Sequence, residues 1–332
     1  MVAPPDANNL TQSCHIVPQS KPQVRYVVVT AGEAGQRLDN FLLKRLPGVP
    51  KSHVYRLLRS GQVRVNKGRA KPATRLALDD QMRIPPARIA ERPVSARPPD
   101  DLQQRLQAAN LFEDDHYLAL NKPAGLAVHG GTGLLFGVIE VVRAWQRYEF
   151  VELAHRLDRD TSGVLLLAKT RPALLRAQDA FRGDGASKRY LTLLDGAWQE
   201  GARVVESSLA RDAELGGERR VRVDEMQGRS AKSRFAPLQC FPQGSYMEVQ
   251  ISTGRMHQIR VHAQSLGHAV AGDAKYGDSG RNQQWKKQGL RRMFLHAASL
   301  ELAATAEFAA LQLQAGLTPD LQAVLEHLRE TT

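Results

Sequence analysis

Five prolines within fifteen residues, Pro85, Pro86, Pro93, Pro98 and Pro99, impose the strongest constraint on how this chain folds. Proline fixes its own φ and supplies no backbone N–H, so neither a helix nor a central strand runs through such a stretch. The 332 residues therefore divide into a short N-terminal part and a long C-terminal one. The expected organisation is a disordered tail over residues 1–22, a compact module over 23–85, a linker over 86–105 and a large domain over 106–332. The tail is polar and carries Pro4, Pro5, Pro18 and Pro22, a composition with too little apolar surface to offset ordering. A domain of ~200 residues buries roughly 70% of its unfolded surface, so the large part needs no disulfide or metal to hold a core.

The N-terminal module reads as two helices and a hairpin. Leu38, Phe41, Leu42 and Leu46 fall on one face of a helix over 36–46, which Gly48 and Pro50 end. A second helix runs from Ser52 to Ser60, with Val54, Leu57 and Leu58 at i, i+3, i+4 spacing and Gly61 at its C-terminal cap. Residues 62–65 alternate as a strand, residues 66–68 turn the chain, and residues 82–84 supply a return strand. The charge is concentrated here. Residues 21–97 hold 17 Lys and Arg against 5 Asp and Glu, whereas residues 98–332 hold 29 against 28. The net charge of +12 is thus the excess of one segment. A localised excess points to a polyanion, and to nucleic acid before membrane, because no basic helix with an aromatic face accompanies it.

In the large domain, short strands are expected near 117–120, 163–168, 190–195, 234–239 and 246–252, and helices near 136–147, 172–182, 257–266 and 318–329. They alternate without a regular βαβ rhythm, which favours α+β over a doubly wound sheet. Residues 211–233 are rich in Arg, Glu and Gly and read as an exposed hairpin or loop. Cys14 and Cys240 have no metal-ligand spacing and read as unpaired thiols of a reducing cytosol. The N-terminus has neither the basic nor the apolar region of a signal peptide. The longest apolar run, Val164 to Ala168, is of strand length, so no membrane span is expected.

Three polar clusters could carry chemistry. The densest is His155-Arg156-Leu157-Asp158-Arg159-Asp160-Thr161-Ser162-Gly163, which leads into the apolar strand 164–168. A charged loop abutting a buried strand is a usual place for active-site groups, because the strand holds them rigidly. Read from residues alone, both a salt-bridged turn and a catalytic loop remain open. The second cluster is Thr253 to His262; as a helix it would place His257 and Arg260 on one face, where they could grip a phosphate or a carboxylate. His257 and His262 lack the i, i+4 spacing of a helical zinc site, and no acidic ligand lies between them. The third is Ser187-Lys188-Arg189-Tyr190, where Lys188 and Tyr190 share one side of a strand and could hold an anion and stack on a base. Gly130-Gly131-Thr132-Gly133 lacks the lysine of a phosphate-binding loop, and no nucleotide-cofactor motif is present.

At these residues the sequence closely resembles the bacterial large-subunit ribosomal RNA pseudouridine synthases. The matching runs are NKPAGLAVHGGTG (121–133), HRLDRDTSG (155–163), KRYL (188–191), TGRMHQIRVH (253–262), GDAKYG (272–277) and FLHA (294–297), in that family's order. The resemblance spans residues 23–300, and the stretch 129–170 looks most like the family's C subgroup. The module at 36–65 resembles a small alpha-L RNA-binding module. The tail has no assignable counterpart, and residues 303–332 lack the proline-containing pattern expected there.

The resemblance implies an α+β catalytic domain with a mixed, mainly antiparallel sheet and flanking helices. It implies site-specific isomerisation of uridine to pseudouridine in 23S ribosomal RNA, free or in a pre-50S particle, by a cytoplasmic monomer that uses no cofactor and no metal. Asp158 is implied as the essential carboxylate, Arg260 as its basic partner, and Tyr190 as the aromatic that stacks on the target uracil. Arg156 is implied to fill the space of the flipped base. Lys188 and His257 are expected on the substrate side, and Asp160 is expected to cap the turn. In the N-terminal module Lys51, Arg56, Arg59 and Arg64 are expected to contact phosphates. Two rivals remain at this stage. A non-catalytic RNA-binding assembly factor would carry the same module, and an RNA methyltransferase would need a glycine-rich loop after its first strand.

Overall fold

The computed structural model describes residues 24–46, 49, 51–86, 97–131, 134–212 and 220–331. The tail expected over 1–22 lies outside the described residues. The chain separates into two compact units, residues 1–94 and 95–332.

The first unit contains β1 (Arg25–Val28), α1 (Leu38–Arg45), α2 (Lys51–Arg59), β2 (Arg64–Val65) and β3 (Gln81–Ile84). Its sheet has the order β1-β3-β2, with both pairings antiparallel. Leu38, Phe41 and Leu42 of α1 meet Val54, Leu57 and Leu58 of α2 and Met82 of β3 in one core, so both helices present the expected faces. Strand β1 was not expected. Tyr26 and Val28 are exposed on it, and only its pairing with β3 defines it as a strand.

The second unit contains α3 (Asp100–Ala108), β4 (Asn110–Glu113), β5 (Tyr117–Lys122), α4 (Val138–Ala144), β6 (Glu152–Leu153), β7 (Ser162–Ala168), α5 (Arg171–Arg182) and β8 (Ala186–Asp195). It continues with β9 (Arg203–Arg211), β10 (Val221–Val223), β11 (Arg229–Cys240), β12 (Gly244–Ile251), α6 (Gln258–Ser265), α7 (Ser279–Lys287), β13 (Leu295–Leu302), β14 (Leu311–Gln314) and α8 (Pro319–Glu330). Eleven strands form one sheet in the order β10-β9-β11-β12-β8-β13-β7-β5-β4, with β14 on β13 and β6 on β7. The β13–β7 pairing is parallel and the other pairings are antiparallel, which is the mixed α+β architecture that the interspersed pattern suggested.

Strand β7 carries the charged turn at its start, and its burial explains its rigidity. Alternate residues point to opposite faces of a strand. Leu165 and Leu167 pack into one core with Leu118, Leu120 and Ile259, while Val164, Leu166 and Ala168 pack into another with Tyr117, Ala119 and Leu174. Both faces are covered, so the strand reads as an unbroken apolar run. Gly163 permits the parallel junction. Its φ is +109°, and a Cβ there would sit 2.2 Å from the carbonyl oxygen of Ala297.

Two expectations are corrected, one open alternative is decided and one unassigned stretch is placed. The linker expected over 86–105 overlaps α3, whose Leu106 is buried in the core, because the helix starts directly after Pro98 and Pro99. The strand expected over 62–65 is paired only at Arg64 and Val65. Among the described residues of 211–233, β10 pairs with β9 and the start of β11 pairs with β9, so this stretch is hairpin rather than loop. Residues 303–332 pack through β14 and through α8, which Pro319 starts and which buries Leu321, Val324, Leu325 and Leu328.

Candidate active site

The turn 155–162 is fixed from three directions before any substrate is considered. His155 is half-buried, and its Nε2 accepts the Leu166 N–H at 3.0 Å. Burial pushes this imidazole down to about 4, so it acts as a neutral acceptor within the fold. The Lys122 ammonium, fully buried at the end of β5, donates to the carbonyls of Pro123 (2.8 Å), Leu126 (2.9 Å) and Arg159 (3.0 Å). It thereby ties the turn after β5 to the turn before β7. Ser162 shares a hydrogen bond with His296 Nδ1 of β13 at 2.9 Å.

Asp158 stands at the crest of this turn. Arg156 and Arg159 flank it in sequence, yet neither is its partner. Arg159, which is exposed, pairs with the half-buried Asp160 at 3.1 Å. The partner of Asp158 is Arg260 of α6, whose Nη1 lies 3.2 Å from Asp158 Oδ2. Arg260 is itself held by Asp273, with Nε to Oδ2 at 2.6 Å and Nη2 to Oδ1 at 2.8 Å. A bidentate clamp of this kind fixes the guanidinium plane as well as its position. Asp273 Oδ1 also accepts the backbone N–H of Lys275 (2.8 Å) and Tyr276 (3.1 Å). Burial would raise the Asp273 carboxyl, but its bonds to Arg260 hold it below the usual carboxylate range.

Helix α6 starts at Gln258, one residue later than expected. His257 precedes it in the left-handed region, with φ of 54°, and so does not share a helical face with Arg260. The two converge on Asp158 instead, with His257 Nε2 lying 3.8 Å from Asp158 Oδ2. The other ring nitrogen, Nδ1, lies 2.8 Å from the Tyr276 hydroxyl, which also accepts the Val221 N–H at 2.9 Å. Burial and the Arg260 charge push His257 down to about 4, against the opposing pull of Asp158. The imidazole is therefore neutral at pH 7. Tyr276 is buried, and its proton has no other acceptor among the described residues. It is donated to Nδ1, which leaves an N–H on Nε2 facing Asp158.

Asp158 opens into a cleft lined by Arg156, Tyr190, Gly254, Arg255, His257 and Arg260, with apolar walls from Leu157, Ile251, Ile259 and Leu295. Tyr190 and Lys188 of β8 are buried while Arg189 between them is exposed, which is the alternation the strand predicts. Burial raises the Tyr190 phenol strongly, and the Asp158 charge adds to that. The Lys188 ammonium lies over the Phe181 ring at 5.3 Å. Burial, with Arg255 nearby, brings it down to about 8. Arg156 is exposed at the mouth of the cleft.

The structure therefore gathers Asp158, Arg156, Tyr190, His257 and Arg260 in one cleft and leaves Asp160 outside its lining. Sequence reasoning missed Asp273 and Tyr276. Both lie in the GDAKYG run, and neither carries periodicity that would mark it. In the first unit, Arg56 and Arg59 are exposed at the end of α2, and Arg64 is half-buried on β2. None of the three is in an ion pair among the described residues. The Lys51 side chain lies outside the described residues. No group of three His, Cys, Asp or Glu among the described residues is disposed to hold a metal.

Comparison with known proteins agrees with this geometry. The RNA pseudouridylate synthase family matches residues 116–265, and the S4 domain family matches residues 36–82. The chain is 47% identical over 313 residues to the ribosomal large subunit pseudouridine synthase C of Salmonella typhi, covering 93% of this chain and 98% of that one. It is 46% identical to the protein of the same name from Escherichia coli (strain K12), with the same coverage. Among solved structures, human RNA pseudouridylate synthase domain containing 4 matches with a TM-score of 0.58 at 26% identity, covering 69% of this chain and 96% of that one. At this identity over nearly the whole of both chains, the chain belongs to the RNA pseudouridylate synthase family, in the group of ribosomal large subunit pseudouridine synthases named C.

Proposed function

We propose that this chain isomerises uridine to pseudouridine at defined positions of large-subunit (23S) ribosomal RNA, as a cytoplasmic monomer. One observation carries the reading: Asp158, Arg260 and Tyr190, from three distant segments, meet in a single cleft with apolar walls. The reaction breaks the bond between ribose and base, turns the uracil and rejoins it through carbon. It requires a carboxylate beside the sugar and base, a chamber that retains the free uracil, and removal of the base from its stack. Base removal costs a few kcal/mol and is offset by contacts in the pocket.

Asp158 supplies the carboxylate, and Arg260 holds it at one angle and depth. Leu157, Ile251, Ile259 and Leu295 cover the faces of the detached ring and keep bulk water from the bond under attack. Tyr190 stacks on the ring. Its raised phenol stays protonated at neutral pH, so it serves as a donor there. The Nε2–H of His257 is placed for a uracil carbonyl or for Asp158 itself. Arg156, at the mouth, occupies the gap that the flipped base leaves. Lys188 meets a phosphate or supports the site from beneath. Lys51, Arg56, Arg59 and Arg64 contact RNA phosphates in the N-terminal module.

The test is Asp158→Asn in the full chain. Folding and RNA affinity should be retained, and tritium release from uridine labelled at C5 should fall to background. Turnover in that variant would sink the assignment. Pseudouridine mapping in ribosomal RNA from cells with and without the gene identifies the sites. An unchanged map would remove ribosomal RNA as the substrate.

A further inference from the structure

The second unit is nearly neutral overall, yet residues 285–292 read Trp-Lys-Lys-Gln-Gly-Leu-Arg-Arg, four cations without an acid. The cleft makes no use of them. They span the end of α7 and the turn after it, where Gly289 at φ +90° reverses the chain. A groove runs between this turn and α8, lined by Lys287, Gln288, Arg291, Ala323, Val324 and His327. Lys287, Arg291 and His327 are exposed on it. Among the described residues neither Lys286, Lys287 nor Arg291 is in an ion pair. The single acid on the groove, Asp320, is already paired with Arg292 at 2.6 Å.

Cations in the last turn of a helix do complement its dipole, which accounts for Lys286 and Lys287. It does not account for Arg291, which approaches the same groove from the turn beyond α7. Unpaired cations on both sides of one open turn suit a chain of phosphates.

We propose that the α7–α8 groove is a second RNA-binding site, in which Lys287 and Arg291 contact backbone phosphates. The proposal rests on the RNA substrate inferred above. It adds an anchor on the catalytic unit itself, separate from both the cleft and the N-terminal module.

The experiment measures binding of the full chain to a large-subunit ribosomal RNA fragment across a potassium chloride series. In Lys287→Gln/Arg291→Gln the slope of log affinity against log salt should fall by about 1.5, close to two phosphate contacts. Arg105→Gln, an exposed cation of α3, should leave the slope unchanged. An unchanged slope in the double variant, or an equal fall in Arg105→Gln, overturns the site. Pseudouridine formation at saturating RNA should keep its rate in both variants, so the outcome is independent of the test on Asp158.

Discussion

At the residue scale, the candidate site is a chain of oriented groups rather than an isolated carboxylate. Asp273 fixes Arg260 and Arg260 fixes Asp158; Tyr276 fixes His257, and His257 faces the same carboxylate. Asp273→Asn keeps one acceptor for the backbone but loses the charge that clamps the guanidinium. A small misplacement of a reacting group costs on the order of 10²-fold in rate. Asp273→Asn should therefore lower kcat by about that factor while KM changes little, as steady-state kinetics on an RNA stem–loop would reveal. A matched rise in KM instead would make Asp273 a binding residue. Tyr276→Phe removes the proton donor to His257 Nδ1. Nitrogen-15 NMR of the imidazole should then show loss of the single Nε2–H tautomer. An unchanged spectrum would mean that the hydroxyl does not set it. The sequence made Asp158 visible because a charged turn runs directly into an apolar strand. It hid Asp273 and Tyr276, because a hydrogen-bond partner 13 residues from Arg260 leaves no spacing rule to read.

At the element scale, the junction between β5, β7 and β13 decides whether the turn holds its shape. Gly163→Ala would place a methyl against the Ala297 carbonyl and demand a left-handed backbone from alanine. It should cost at least ~2 kcal/mol by overpacking and strain, measured as a lower midpoint in urea, with activity lost in proportion. Lys122 offers a test with a sign. Burial brings its ammonium down to about 7, well below its value in an unfolded chain. Between about pH 7 and the unfolded value near 10.5 the unfolded state binds the extra proton, so stability should climb through that window. Lys122→Met should abolish that rise and, by freeing three carbonyls, lower stability at pH 7. Thermal melts across pH would decide it, and a rise of equal size in the variant would contradict it. The elements themselves were partly legible. The helices of the first unit and the apolar strands β5, β7 and β12 followed from periodicity. Strands β9, β13 and β14 did not, since their identity depends on distant partners rather than on their own pattern.

At the scale of the whole molecule, charge and chemistry are divided between units. The N-terminal part carries the chain's basic excess, and the catalytic part is balanced apart from local clusters. Replacing Arg56, Arg59 and Arg64 together with Gln should reduce the salt slope of RNA binding by about 2–3, at roughly 0.7–0.9 per phosphate contact. Deleting residues 1–94 should weaken RNA binding and blur the choice of uridine while leaving the melting profile of the remaining unit intact. Full-rate modification at unchanged sites by the truncated protein would remove the module as the anchor. This division was legible from charge counting, because prolines mark the boundary and the excess ends there.

Strand order bears on how the protein is made. Motif-bearing strands β7 and β8 are close in the chain, but β13 lies between them in the sheet. Its last residue, Leu302, follows Asp195 of β8 by 107 positions. At a synthesis rate of about 5–20 residues per second, that is roughly 5–20 s in which β7 and β8 are both complete and the edge of each that β13 fills is still open. Their open edges are templates for any passing strand. Competence to modify RNA should thus appear abruptly, after β13 has emerged, rather than grow as the chain lengthens. Stalled chains ending before residue 290 should be catalytically silent and rich in chaperone contacts.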